Sequence, residues 1–193
     1  MPTDREDLKR RLALTAPGDT TRGIAFNAMF EVVRDHGSEA LARTCDPAGT
    51  ARRVELLQYP VADFLKAAWT SADALEDDLG GWEAVFREFG RCTARTVLAS
   101  TFGKTLAIVA GRSPRQLLQN APAGYWSTVS YGQRQVTFPS ETHAVFTFRG
   151  DFMHPAYHAG LLGAGAEAVG GTDVATEWRQ TGVLDSVIEV VWR

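Results

Sequence analysis

Cysteine is scarce in this chain, and basic runs and long apolar stretches are missing. Only two cysteines occur in 193 residues, Cys45 and Cys92, far apart and in neither a CxxC pair nor a disulfide framework. Net charge is −3 with a pI near 5.8, and the longest basic runs are Lys9-Arg10-Arg11 and Arg52-Arg53. Nucleic acid is therefore not expected as a partner, since no basic footprint exists to neutralise phosphates. No stretch of 18 consecutive apolar residues is present, so no membrane span is expected. The opening Met1-Pro2-Thr3-Asp4-Arg5-Glu6-Asp7 is charged and mixed in sign, without the apolar run of a signal peptide. Together with the sparse thiols, this places the chain in the cytoplasm as an expectation.

Catalytic signatures are missing as well. No GxSxG elbow occurs. Gly103-Lys104-Thr105 has the end of a phosphate-binding loop, but the position needing the first glycine is Leu98, and a helical pattern precedes it where the motif needs a strand. His154 and His158 stand at i, i+4, as in zinc peptidases, yet Pro155 follows the first histidine where those enzymes carry Glu. Asp151 is near enough in sequence to join them. An enzyme built on Asp151, His154 and His158 is the least supported reading. Arg149-Gly150-Asp151 reads as a strand end, a turn glycine and a helix cap. The expectation is a protein that is not an enzyme and holds neither metal nor cofactor.

What is present is an ordinary globular composition, 45% hydrophobic with ten Phe and five Trp, enough aromatic volume to fill a core and still line a cavity. Helical spacing runs through the first two thirds. Residues 4–14 form a short helix, and Asp19 or Thr20 caps a second over 21–36. That second helix carries two apolar stripes, Ala25-Met29-Val32 and Phe26-Phe30-Val33. A surface helix needs one stripe, so this one is either deeply buried or shared with a partner. Ser38 caps a helix to Cys45, Pro60 opens one ended by Gly80-Gly81, and Trp82–Thr101 is the longest. The helical pattern then covers 105–110, and Ser113-Pro114 starts a helix through Gln119.

After residue 123 the period changes to two. Strands are expected at 125–131, 135–138 and 144–149, a Gly/Ala-rich helix at 155–169, and closing strands at 174–180 and 187–192. Helices followed by antiparallel strands predict an α+β fold: a helical lobe, then a curved sheet with a covering helix. Residues 1–20 read as an N-terminal extension and 21–193 as a single domain. Phe30, Trp69, Phe89, Cys92, Leu118, Tyr125 and Trp126 are the candidate ligand-binding set. For each aromatic the alternative is core packing, and for Cys92 it is a buried small hydrophobe.

Four stretches carry a resemblance: Arg22-Gly23-Ile24-Ala25-Phe26-Asn27; Tyr59-Pro60-Val61-Ala62-Asp63-Phe64; Asn120-Ala121-Pro122-Ala123 with Val129-Ser130-Tyr131-Gly132; and Arg149-Gly150-Asp151-Phe152-Met153 before Tyr157-His158. On these the chain resembles a large paralogous family of uncharacterised myxobacterial proteins, from about residue 8 to the end. The order of elements is similar to the superfamily of heme nitric-oxide-binding domains, vinyl-reductase-type small-molecule-binding domains and Bet3-like subunits of Golgi tethering complexes. That resemblance implies a hydrophobic cavity between a helical lobe and a sheet, a small apolar or acyl ligand, a regulatory role, and homodimers through helices. It also implies the competing reading, a filled-core scaffold binding partner proteins such as small GTPases. The heme domains' helical His has no counterpart here, because no His lies between residues 37 and 142. Tyr131-Gly132-Gln133-Arg134-Gln135 departs from their Tyr-x-Ser-x-Arg pattern. Heme is therefore not expected.

Overall fold

The computed structural model describes residues 4–100, 103, 111 and 113–193, and the expected helix at 105–110 lies outside them. Helix α1 (Asp4–Leu12) leads into a three-residue strand β1 (Thr20–Arg22), and α2 (Gly23–His36) follows directly. Helix α3 (Glu39–Cys45) starts at Ser38, whose Oγ accepts from the Leu41 amide at 3.0 Å. Strand β2 (Gln58–Pro60) pairs antiparallel with β1, Thr21 opposite Tyr59. This small ribbon was not expected. Its strands are too short for a period to show, and Pro60, read as opening a helix, is the last strand residue before α4 (Val61–Leu79). Gly80, at φ +83, ends α4 in the left-handed conformation that suits glycine, and α5 (Trp82–Ala99) runs back along it.

Helix α6 (Pro114–Thr128) corrects the sequence reading most. Residues 125–128 of the strand expected at 125–131 are instead the last turn of this helix, which continues through Pro122, and beyond it Val129 makes a single antiparallel bridge to Thr21. Tyr125, Ser127, Val129 and Tyr131 alternate like a strand, but Leu118, Ala121 and Tyr125 form the stripe that is buried, and burial decided the outcome. Strands β3 (Gln133–Ser140), β4 (His143–Arg149), β5 (Ala175–Gln180) and β6 (Ser186–Val191) form an antiparallel sheet in the order β3-β4-β6-β5, as the α+β expectation required. Helix α7 (Pro155–Ala168) crosses between β4 and β5.

Helix α7 is the middle layer. It packs on the sheet by one side and on α5 by the other, and nearly all its residues are buried. The α5 contact is backbone to backbone: a Cβ at Gly90 would collide with the Tyr157 carbonyl, and one at Gly160 with the Arg87 carbonyl. One apolar cluster fills the helical lobe around Phe26, Phe30, Phe64, Trp69, Phe86 and Phe89. A second lies between α6, α7 and the inward-facing Phe146, Phe148, Ile188 and Val190 of the sheet. Both stripes of α2 are buried inside this chain, in contact with α3, α4 and α5. The two-faced pattern thus has an internal explanation and needs no partner subunit. Helix α1 is anchored by Arg11, which is buried, pairs with Asp7, and donates to the Phe152 and Met153 carbonyls at 3.1 and 3.2 Å. Among the described residues no helix is long and apolar enough to cross a membrane.

Candidate functional site

The loop leaving β4 builds the site. Gly150, at φ +65, turns the chain, and the Asp151 amide donates to the Leu184 carbonyl at 2.8 Å. That turn directs Asp151 inward, where its Oδ1 accepts from the Met153 amide at 3.0 Å. His154 then caps α7, its Nδ1 accepting from the Ala156 amide at 3.2 Å. One turn on, His158 Nε2 meets Asp151 Oδ1 at 2.9 Å, and its Nδ1 meets the Tyr125 hydroxyl, from α6, at 3.0 Å. Arg134, on the inward parity of β3 with Val136 and Phe138, pairs with Asp151 Oδ2 and donates from Nη1 to the Tyr131 carbonyl at 2.6 Å. Four side chains from α6, β3, the β4–α7 loop and α7 thus form one buried chain, Tyr125–His158–Asp151–Arg134.

Electrostatics follow from this arrangement. Burial alone would raise the Asp151 carboxyl, but His158 and Arg134 beside it, with the Met153 amide, outweigh that and hold it well below the usual carboxylate range. Being ionised it can only accept, so His158 Nε2 donates to it, and the other ring nitrogen, Nδ1, shares a hydrogen bond with the Tyr125 hydroxyl. Burial, with Asp151 adding to it, pushes the Tyr125 phenol well above its ordinary range, so it stays un-ionised. The Arg134 guanidinium lies 4.9 Å from the Tyr125 ring centre and 5.4 Å from that of Tyr131. Its Nε is buried and has no hydrogen-bond partner among the described residues.

This quartet is the polar wall of a cavity of about 130 Å³. The remaining walls are mostly apolar, among them Ile24 and Ala25 from the start of α2, Ala94 and Val97 from α5, Leu118 from α6 and Leu162 from α7, with Thr93 and Thr128 also reaching the lining. The cavity therefore lies where the helical lobe, α6 and the central α7 meet.

The sequence candidates divide over this geometry. Leu118 and Tyr125 line the cavity. Phe30, Trp69, Phe89 and Cys92 do not: they pack in the helical-lobe cluster, Trp69 edge-on against Phe86 at 4.7 Å between ring centres. Burial raises the Cys92 thiol above its ordinary range, the opposite of an activated cysteine. Trp126 is 58% exposed, because it follows Tyr125 on the helix and so points away from the face that carries it. Arg134, Asp151 and His158 were missed as cavity residues. The available signal was a charged residue at an inward strand position, Arg134 in step with Val136 and Phe138.

His154 and His158 do not converge on a metal. His154 stacks on Phe86 and lies edge-on to Trp178, while His158 faces Phe148, Tyr125 and Asp151. Burial, with Arg11 nearby, lowers the His154 pKa to about 4. Among the described residues no three His, Cys, Asp or Glu side chains group to hold a metal ion. Gly103 of the Gly-Lys-Thr sequence is described, but Lys104 and Thr105 lie outside the described residues. A porphyrin does not fit the described residues either. Both His158 nitrogens are engaged, the Arg134 charge is paired with Asp151, and about 130 Å³ is below the roughly 300 Å³ at which pockets for drug-sized molecules begin.

Residues 14–193 match the family described as "Protein of unknown function (DUF2378)". No curated protein matches the sequence. Among solved structures the chain is similar to the Fe(II) unliganded H-NOX protein from K. algicida, with a TM-score of 0.71 at 9% identity over 89% of this chain and 96% of that one. An oxygen-binding H-NOX domain related to soluble guanylate cyclases, solved as its oxygen complex, gives a TM-score of 0.65 at 10% identity over 89% and 95%. At such identities the likeness concerns the fold: this chain has the mixed α+β architecture of H-NOX domains.

Proposed function

Because the chain belongs to the DUF2378 family of proteins of unknown function, and its fold is that of H-NOX domains, we propose that it is a regulatory ligand-binding module and not an enzyme. The observation that carries this reading is the cavity between α2, α5, α6 and α7, apolar on most sides and closed at one end by the buried quartet. An H-NOX domain of the same fold binds oxygen, which supports a small ligand in the interior. Entry of a ligand would bury apolar surface at roughly 25 cal/mol per Å², offset by the cost of ordering it. Occupancy is transmitted through the loop Asp151–Met153. Asp151 and Met153 line the cavity, and Arg11 of α1 holds the carbonyls of Phe152 and Met153. A ligand that displaces this loop shifts the population of docked α1. Buried, fully bonded His158 and a thiol raised by burial argue against catalysis.

Native mass spectrometry of gently purified protein, with an absorption spectrum on the same sample, tests the reading. A bound small apolar mass on the 21.0 kDa chain is expected. The homodimer reading is judged in the same spectrum at twice that mass. A Soret band would reject this cavity as the site of function.

The scaffold reading is favoured by one feature, the exposed Val54, Leu56 and Leu57 on the loop between α3 and β2. Loss of partner capture on Leu56→Ser, with no bound small molecule in the spectrum, would favour it over the ligand reading.

A further inference from the structure

Resting on the ligand-binding reading above, we infer that the ligand is an apolar molecule bearing a neutral acceptor oxygen, as in a ketone, ester or ether, and that the Tyr131 hydroxyl donates a hydrogen bond to that oxygen.

This donor is unused and within reach. Tyr131 joins the buried network through its carbonyl, which accepts from Arg134 Nη1. Its hydroxyl bonds to no described residue. Among the described residues, the unpaired side-chain atoms sealed from the surface are Arg11 Nη2, Arg22 Nε, Ser71 Oγ and Arg134 Nε. The Tyr131 hydroxyl is unpaired and is not one of them, so it keeps accessible surface. The residue around it is buried, at 6% exposed, and lines the cavity. Thr21 repeats the pattern: its hydroxyl has no described partner, is not sealed, and belongs to a buried residue of the same lining, opposite Val129 across an antiparallel bridge. The cavity is partly open to solvent, which gives a ligand a way in.

The ring that carries the Tyr131 hydroxyl is fixed. It lies edge-on to Phe152 at 4.9 Å between centres, and the Arg134 guanidinium sits 5.4 Å from its own centre. A donor already held in place loses little freedom when it bonds a guest. Burial, with Asp151 adding to it, pushes the phenol well above its ordinary range, so it keeps its proton. A hydrocarbon guest would take water away from this hydroxyl and leave it unpaired, whereas a guest with an acceptor oxygen replaces the water. The charge of Asp151 acts on the hydroxyl more strongly than that of Arg134. A ligand carboxylate is therefore opposed at this position, and a neutral oxygen is not.

The experiment is calorimetric titration of the full chain at neutral pH with acetophenone, isopropylbenzene and benzoate, and the infrared carbonyl band of bound acetophenone. Tyr131→Phe is expected to weaken acetophenone about fivefold or more and to leave isopropylbenzene unchanged. The carbonyl band of acetophenone is expected at lower frequency on the wild type than on Tyr131→Phe. Because the removed hydroxyl has no partner in the free protein, Tyr131→Phe is expected to keep or raise the urea midpoint. Thr21→Val is expected to weaken acetophenone by less than Tyr131→Phe does. An equal band position on both proteins, or an equal loss of both aromatic probes, would overturn the role of Tyr131, as would a larger loss in Thr21→Val. A Tyr131→Phe chain that unfolds more easily would overturn it too, since the hydroxyl would then serve the fold. Tighter binding of benzoate than of acetophenone would overturn the neutral oxygen. Failure of acetophenone to bind would overturn this inference; with a bound apolar mass in the native spectrum the ligand-binding reading stands, and without one both fall.

Discussion

Among the described residues, two aspartate–arginine pairs are buried on both sides, and they are built differently. Asp46 and Arg53 sit in one short loop. Asp46 Oδ1 accepts from the Ala48 amide, Oδ2 from the Thr50 and Ala51 amides, and Arg53 binds both oxygens at 2.6 and 2.8 Å. Asn27 of α2 grips the Arg53 backbone through its N–H and its carbonyl, at 2.8 and 2.9 Å. That pair shapes its own loop. Asp151 and Arg134 come from different elements, reach a third through His158 and a fourth through Tyr125, and leave one guanidinium nitrogen unpartnered beside a cavity. Local completeness marks the first pair as structural. The second is assembled over long range and lines the cavity on which the proposed ligand-binding reading rests.

The largest test of this contrast is Asp151→Ala. It strands a buried guanidinium, and a loss of about 3–5 kcal/mol is expected in urea unfolding. The double replacement Arg134→Met with Asp151→Leu should recover most of that loss, since removing both charges leaves neither stranded. A double variant as unstable as Asp151→Ala would show that the loss comes from something other than the stranded guanidinium.

Acid separates the pairs from their histidine neighbour. His154 has a folded-state pKa of about 4 against 6.5 for its ordinary value, so the unfolded chain binds the extra proton first. Its contribution is complete above pH 6.5 and is lost as pH falls towards 4, by up to roughly 3 kcal/mol. Asp46 and Asp151, both held below the ordinary carboxylate range, lose theirs only at lower pH still. A stability profile flat from pH 7 to 4.5 would contradict a neutral, buried His154. Asp46→Ala comes next in size, at about 2 kcal/mol, because the Arg53 side chain keeps 7% of its surface exposed against 1% for Arg134 and so can regain some water. The smallest effect is Trp126→Ala, within about 0.5 kcal/mol by thermal unfolding and without effect on ligand binding.

Much of the scaffold was legible in the sequence because its signals are local. Ser38 and Ser113 cap the helices they were expected to cap, and the alternation of Ala144, Phe146 and Phe148 marked the buried face of β4. The strand expected at 125–131 failed because the helix begun at Ser113-Pro114 runs on past Gln119, where it was expected to stop, to Thr128, and the residues after it alternate by chance. The site was only half legible for a related reason. Leu118 and Tyr125 share a helical stripe, but the partners of Tyr125 come from 33 residues away in His158 and, through it, from Asp151 and Arg134. No periodicity encodes such an encounter. The large aromatics Phe30, Trp69 and Phe89 lie away from this cavity for the opposite reason: bulk fills space, and a residue that fills the interior does not line an opening in it.

The glycine contact between α5 and α7 has a mechanical consequence. Where two backbones touch at Gly90 and Gly160, no side chain is left between them to yield, so the two helices behave as a single stiff beam. Helix α6 meets that beam through side chains such as Leu118 and Tyr125. Of the cavity walls it is therefore the one expected to yield to a guest, and amide hydrogen exchange with a guest bound should slow along α6 while the beam keeps the same rate.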